Sequence, residues 1–271
     1  MDEGAAGTGR AARSGTVLLT PRWLAGHLLA LVLIVLFVNL GAWQLRRLDA
    51  RTTLNELVES RTAAAPVALH DALQGPGEVP EYTMVRLRGT FAAEHEVLLR
   101  GRSLDGRPGF NLLTPLLLAA EAPGLDGAAV LVERGWVPYD HDSVPVVDAA
   151  PPAGVVEVVG RLRAPSSSPG GLAPRDPAEG VLVQSYYVDV ERLQRQMPFT
   201  LVPAYVTATD VTPPHPDALP LQLPPDDLSD GPHLGYAIQW FAFALVGIVG
   251  YMILLRKVSR DAATHAAAPP A

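Results

Sequence analysis

Two long apolar runs frame this chain, and the stretch between them changes period. From Trp23 to Leu45 the clearly polar side chains are His27, Asn39 and Gln44. From Leu234 to Leu255 no residue carries a charge, and Arg256 and Lys257 stop the run. At ~1.5 Å per residue each run is long enough, as a helix, to cross the hydrocarbon core. The first is longer than a signal-peptide core and ends in bulky Trp43-Gln44-Leu45 with no small-residue cleavage pattern, so it reads as an uncleaved anchor. Beyond it Leu45, Leu48, Leu54 and Leu57 keep near-helical spacing until Ala63-Ala64-Ala65-Pro66, which predicts a helix running on past the apolar run.

After Pro66 the pattern becomes strand-like. Val85, Leu87 and Gly89 fall on one face and Arg86 and Arg88 on the other. Strands are predicted over Tyr82–Phe91, Glu96–Arg100, Phe110–Leu118, Ala128–Val137, Val155–Leu162, Val181–Val188 and Phe199–Thr209, with a short helix over Asp189–Met197. Ala164–Gly180 and Thr212–Gly231 are Pro-rich, lack periodicity and read as loops. Strands at this spacing predict an antiparallel sheet curled toward a small barrel. The expected fold class is an α+β membrane protein. It has a tail (1–22), a transmembrane helix (23–45), a mainly antiparallel, barrel-like extracytoplasmic β domain (46–232), a second transmembrane helix (233–255) and a tail (256–271). Residues 1–22 and 258–271, rich in Ala, Gly, Pro and charge, read as disordered.

Charge sets the expected orientation. Arg10, Arg13 and Arg22 precede the first span and Arg46, Arg47 and Arg51 follow it, so that span is neutral on the question. Asp226, Asp227 and Asp230 precede the second, while Arg256, Lys257 and Arg260 follow it. Positive charge stays inside, which predicts both termini in the cytoplasm and the central domain outside, in a multi-pass protein of the cell membrane. The whole chain has 21 basic and 28 acidic residues, and the acidic excess lies between the spans, which argues against nucleic acid as a partner. There is no cysteine, so disulfides, thiolate metal sites, iron–sulfur clusters and covalent haem attachment are excluded. No nucleophile elbow, H-E-x-x-H or phosphate loop is present, and Ser166-Ser167-Ser168 sits in a linker, so no enzyme is expected. The basic residues are nearly all arginine, as a GC-rich bacterial genome would give.

The second span opens with candidate chemistry. On a helix His233, Tyr236 or Ala237, and Trp240 share a face. An imidazole near a tyrosine and a tryptophan at the membrane edge suits a large flat apolar cofactor, since neutral imidazole is a good axial iron ligand. It suits an interfacial anchor, satisfied by water and headgroups, equally well.

Four stretches carry a resemblance. They are Asn39 to Leu48 (NLGAWQLRRL), Gly106 to Pro115 (GRPGFNLLTP), Val130 to Pro138 (VLVERGWVP) and His233 to Phe241 (HLGYAIQWF). In this order, between two anchors, they resemble the surfeit-locus-one family of cytochrome c oxidase assembly factors, in a bacterial member, from about residue 23 to residue 257. The linker 164–180 and the tails lie outside the resemblance. It implies assembly of the haem-copper oxidase through transient binding of haem a and its transfer to the catalytic subunit. His233 is implied as the iron ligand, with Trp240 as a haem contact; Tyr236, on the helical face they share, is a further expected cofactor contact. Arg46 and Arg47, against the positive-inside trend, suit haem propionates or a partner's carboxylates by their planar geometry, or else lipid phosphate. The alternative function is a scaffold that stabilises nascent oxidase subunits without a cofactor.

Four further expectations concern packing. His27 lies on the order of 25–30 Å from His233 in depth, too far to share one iron, and reads as a snorkelling boundary residue; Met252 lies near its depth. Asn39 and Gln239 sit at matching depths, where an unpaired amide in lipid costs ~2 kcal/mol or more. An interhelical hydrogen bond between them is expected, with Gly41 and Gly235 allowing close approach. Arg107-Pro108-Gly109 reads as a turn, and Arg134-Gly135-Trp136 as a bulge that re-aims a strand.

Overall fold

Helix α1 (Pro21–Thr62) carries the first apolar run and continues past it without a break, as the leucine spacing predicts. The computed structural model describes residues 18–75, 77–119, 124–125 and 127–265. The disorder expected of residues 1–17 and 266–271 lies outside these. Within them that expectation fails, because α1 already begins at Pro21 and the last helix, α4 (His233–His265), runs well past Arg256. Both helices are long and apolar enough to cross a membrane. The chain divides into two units, one of Met1–Glu56 with Leu228–Ala271 and one of Leu57–Asp227.

The second unit is sheet-rich. In chain order it holds β1 (Val67–Ala68), α2 (Leu69–Leu73), β2 (Met84–Phe91), β3 (Val97–Leu104), β4 (Arg107–Leu118) and β5 (Ala129–Pro138). Then come β6 (Val155–Arg163), β7 (Gln184–Ser185), α3 (Val190–Gln194) and β8 (Leu201–Thr212). The sheet order is β1-β2-β6-β8-β5-β4-β3-β7, and β2 also pairs with β4. Pairing therefore runs β2–β6–β8–β5–β4 and returns to β2. The first half of β4 pairs with β3, and its last residues, Leu116 to Leu118, pair with Phe91 to Gly89. The long pairs are antiparallel except β5–β8, which is parallel. One parallel pair within a mainly antiparallel sheet needs a long connection, and β6, β7 and α3 supply it.

Alternation explains the core. Val85 and Leu87 of β2, Val130 and Val132 of β5, Val156 and Val158 of β6, and Ala204 and Val206 of β8 point to one buried cluster. On the other face Val97, Leu99, Leu113 and Leu131 bury against Val190 and Leu193 of α3. Asp189 caps α3 by accepting from Arg192 N at 2.9 Å.

Three local expectations change. The turn lies one step earlier than 107–109, at Asp105-Gly106, whose φ values of 50° and 75° make the two-residue hairpin; Arg107 already belongs to β4. The strand expected over 181–188 shrinks to Gln184–Ser185, because side chains take the backbone groups that a ladder would use. Asp176 Oδ1 accepts from Tyr186 N (2.9 Å) and Ser166 Oγ from Val188 N (3.2 Å). Gln196 both accepts from Leu182 N and donates to Leu182 O. The bulge, by contrast, is where the sequence puts it: Leu112 faces Gly135 and Leu113 faces Glu133, leaving Arg134 as the extra residue.

Gly89 sits where β2 pairs with β4 and β6 together. A Cβ there would stand 2.1 Å from the Leu117 carbonyl oxygen, so no side chain fits. Gly89→Ala should cost ~1–3 kcal/mol, the usual price of overpacking, read as a lower denaturation midpoint. An unchanged midpoint would mean that β2 can leave β4 without loss.

Candidate functional site

The first unit is built on a seam between α1 and α4. Partly or fully buried positions recur along one stripe of each helix: Trp23, His27, Ala30, Ile34, Phe37, Gly41, Gln44 and Leu48 on α1, and His233, Ala237, Trp240, Ala244 and Tyr251 on α4. Steps of three and four residues keep one stripe of each helix on the other, as in a coiled coil. Gly41 leaves room for a ring of the other helix: a Cβ there would lie 2.8 Å from the Phe241 ring. Gly235 plays no such part, since a Cβ there would have no neighbour within 4 Å.

His233 lies at one end of this seam. Its Nδ1 is 2.9 Å from Gln44 Oε1. A carbonyl oxygen only accepts, so Nδ1 carries the proton and the lone pair of the neutral ring is on Nε2. Nε2 has no hydrogen-bond partner among the described residues. The chain leading into α4 is tied down as well: Asn55 Nδ2 donates to Leu228 O (2.8 Å) and Asp230 Oδ1 (3.0 Å), and Thr52 Oγ1 donates to Asp230 Oδ1 (3.2 Å). These contacts hold the first turn of α4, and with it His233, in register on α1.

Two turns along, the Trp240 ring stacks on Phe37 at 5.7 Å and 24°, with Phe243 edge-on to Trp240 at 5.8 Å. Tyr236 does not join them. It lies off the seam and is 48% exposed, because the seam continues through Ala237 instead. Arg46 and Arg47 are exposed on α1 beyond Gln44.

The expected amide pair does not form. Asn39 Nδ2 donates to Val35 O of its own helix at 2.8 Å, so Asn39 is satisfied without Gln239. Polar contacts between the helices come instead from His233–Gln44 and, toward the other end, His27–Tyr251. His27 is therefore not a free snorkelling residue: Nδ1 meets the Tyr251 hydroxyl and Nε2 lies 3.0 Å from Leu18 O. Both its nitrogens are committed. Gln44 went unrecognised as the partner of His233, although the signal was present. It falls on the same three-and-four spacing as Phe37 and Gly41.

The second unit holds a buried polar network. The bulge at Arg134 turns its guanidinium inward, where Nη2 donates to Glu96 Oε2 at 2.5 Å, Nε to Thr114 Oγ1 and Nη1 to Ala149 O. Glu96 also accepts from Thr114 Oγ1 and Val146 N. Burial lowers the Arg134 pKa from its usual value, opposed by the charge and hydrogen bond of Glu96. His215 beside it is lowered too, by burial first and then by Arg134. The network ties β4, β5 and Glu96, the residue before β3, to the 146–149 turn. Among the described residues no group of three or more His, Asp or Glu is placed to hold a metal ion.

The family model described as the SURF1 family matches residues 31–245. A SURF1-like protein of Mycobacterium bovis is 28% identical over 242 residues, covering 86% of this chain and 83% of its own. A SURF1-like protein of Caenorhabditis briggsae is 26% identical, covering 87% and 77%. One from Rickettsia felis is 23% identical, covering 86% and 97%. These matches run through both helices and the sheet.

Proposed function

The chain belongs to the SURF1 family, generally assembly factors for cytochrome c oxidase, and from that premise we propose that it binds haem a transiently and passes it to the catalytic subunit of the oxidase. The observation that carries this reading is the Nδ1–Gln44 contact. An imidazole whose Nδ1–H is held by a carbonyl presents its Nε2 in a fixed direction, which is how proteins orient histidine ligands to metals. A haem brings an iron that accepts such a nitrogen and a flat apolar ring. Trp240 and Phe37 offer aromatic faces along the same seam. The exposed Arg46 and Arg47 suit the propionates. One histidine is a weak hold, and weakness suits a donor: a site with better ligation on the oxidase withdraws the haem without an energy source.

The reading is non-catalytic and places the sheet-rich unit outside the cytoplasm. Support for that orientation comes from Arg256, Lys257 and Arg260 beyond the second apolar run. A reporter enzyme active only in the cytoplasm should be silent when fused after Gly180 and active when fused at Ala271. The reverse pattern would put His233 on the cytoplasmic side and sink the topology.

The direct test of function is the absorption spectrum of the full-length protein purified from cells that make haem a. A Soret band with histidine ligation is expected. Its absence, with oxidase assembly still dependent on the protein, would favour a scaffold that stabilises nascent subunits through its helices.

A further inference from the structure

The seam that carries His233 is not filled along its whole length. Its three-and-four spacing brings Ala237, Trp240, Ala244 and Tyr251 of α4 onto α1, and the position between Ala244 and Tyr251 is Gly247. A Cβ at Gly247 would have a single neighbour, Ile34 Cγ1 at 3.9 Å; one at Gly250 would have none within 4 Å. The missing side chains leave a groove along the helix pair, lined by Ala30, Ile34 and Phe37 of α1 and Gly247, Gly250 and Tyr251 of α4, among others. Its walls are hydrocarbon. The one polar side chain among these, Tyr251, has its hydroxyl engaged by His27.

We propose that this groove takes the isoprenoid tail of the haem, so that the protein selects a haem carrying such a tail over one without it. The proposal rests on the haem reading above and adds a basis for choosing among haems. Continuity favours this occupant over a lipid chain. Phe37 lines the groove and also stacks on Trp240, so the aromatic pair two turns from His233 leads into the groove. From Trp240 to Leu254 is ~21 Å of helix, room for several isoprene units laid along the seam. Inside a membrane the gain cannot be hydrophobic, because lipid is as apolar as the groove. It comes from contacts with walls that the helices otherwise leave unfilled.

The test uses the full-length protein in lipid nanodiscs, titrated separately with haem a, haem o and haem b and followed by the Soret band. Haem o has the tail without the formyl group of haem a, and haem b lacks both. Haems a and o should bind about tenfold more tightly than haem b, the ratio that a modest set of added wall contacts gives. The double variant Gly247→Leu/Gly250→Leu should erase that preference by weakening a and o while leaving b unchanged, and retained binding of b shows that the variant is folded. Equal affinity of the wild-type protein for all three haems would overturn the proposal, leaving the groove to lipid. Equal weakening of all three by the double variant would also overturn it. If none of the three haems binds, the haem reading itself falls and the tail proposal with it.

Discussion

His233→Ala should remove the histidine-ligated Soret band of the purified protein, while His27→Ala should leave it unchanged. The two imidazoles differ in what they have to spare. His233 gives Nδ1–H to Gln44 and keeps the Nε2 lone pair, whereas His27 has both nitrogens taken, by Tyr251 and by Leu18 O. Gln44→Leu is the finer probe. It keeps the ligand and removes the group that orients it, and such losses typically lower metal affinity by about 10–100-fold. Trp240→Ala should weaken binding without changing the ligand signature, because it contributes a stacking face and no donor atom. A His233→Ala protein with an unaltered spectrum would leave the scaffold reading standing.

Arg134→Ala should be the most destabilising single change in the sheet-rich unit, by about 3–5 kcal/mol, the usual cost of leaving one partner of a buried ion pair behind. Glu96 is 3% exposed and Arg134 is 4% exposed. Without the guanidinium, the carboxylate would keep only Thr114 Oγ1 and Val146 N. Arg134→Lys should recover little, since a single ammonium cannot bond Glu96, Thr114 and Ala149 O from one planar fork. Replacing the pair together, Arg134→Leu with Glu96→Leu, should cost less than Arg134→Ala alone. Denaturant unfolding of the full chain in micelles, followed by fluorescence of the buried Trp136, measures all three. A loss below about 1 kcal/mol for Arg134→Ala would mean that water reaches Glu96 as soon as the arginine leaves, as at an exposed pair.

Much of this molecule is legible in its sequence, because it depends on neighbours along the chain. A membrane span needs an uncharged run of sufficient length, and both runs became helices. Strand positions follow from period-two alternation, which is why β2, β4, β5, β6 and β8 lie close to where Val85, Leu116, Val130, Val158 and Val206 mark them. The bulge at Arg134 was announced by a glycine inside a strand pattern. The four short motifs, in order between two anchors, were enough to reach the family.

What the sequence left open depends on which distant group arrives first at a polar atom. Asn39 and Gln239 lie at equal depth, yet a carbonyl one turn away in its own helix satisfies Asn39 with no need of a partner helix. Segment 181–188 has strand composition, yet Gln196, Asp176 and Ser166 reach its backbone groups before a neighbouring strand can. Helical spacing alone allowed Tyr236 or Ala237 beside His233, and packing chose Ala237, which is 1% exposed against 48% for Tyr236. The parallel pairing of β5 with β8 depends on the path of an intervening connection that alternation does not encode. Sequence by itself determined where the spans and strands lie and that a histidine opens the second span. Tertiary structure decided that Gln44 holds that histidine's Nδ1 and leaves Nε2 available, a choice made by two side chains 189 positions apart.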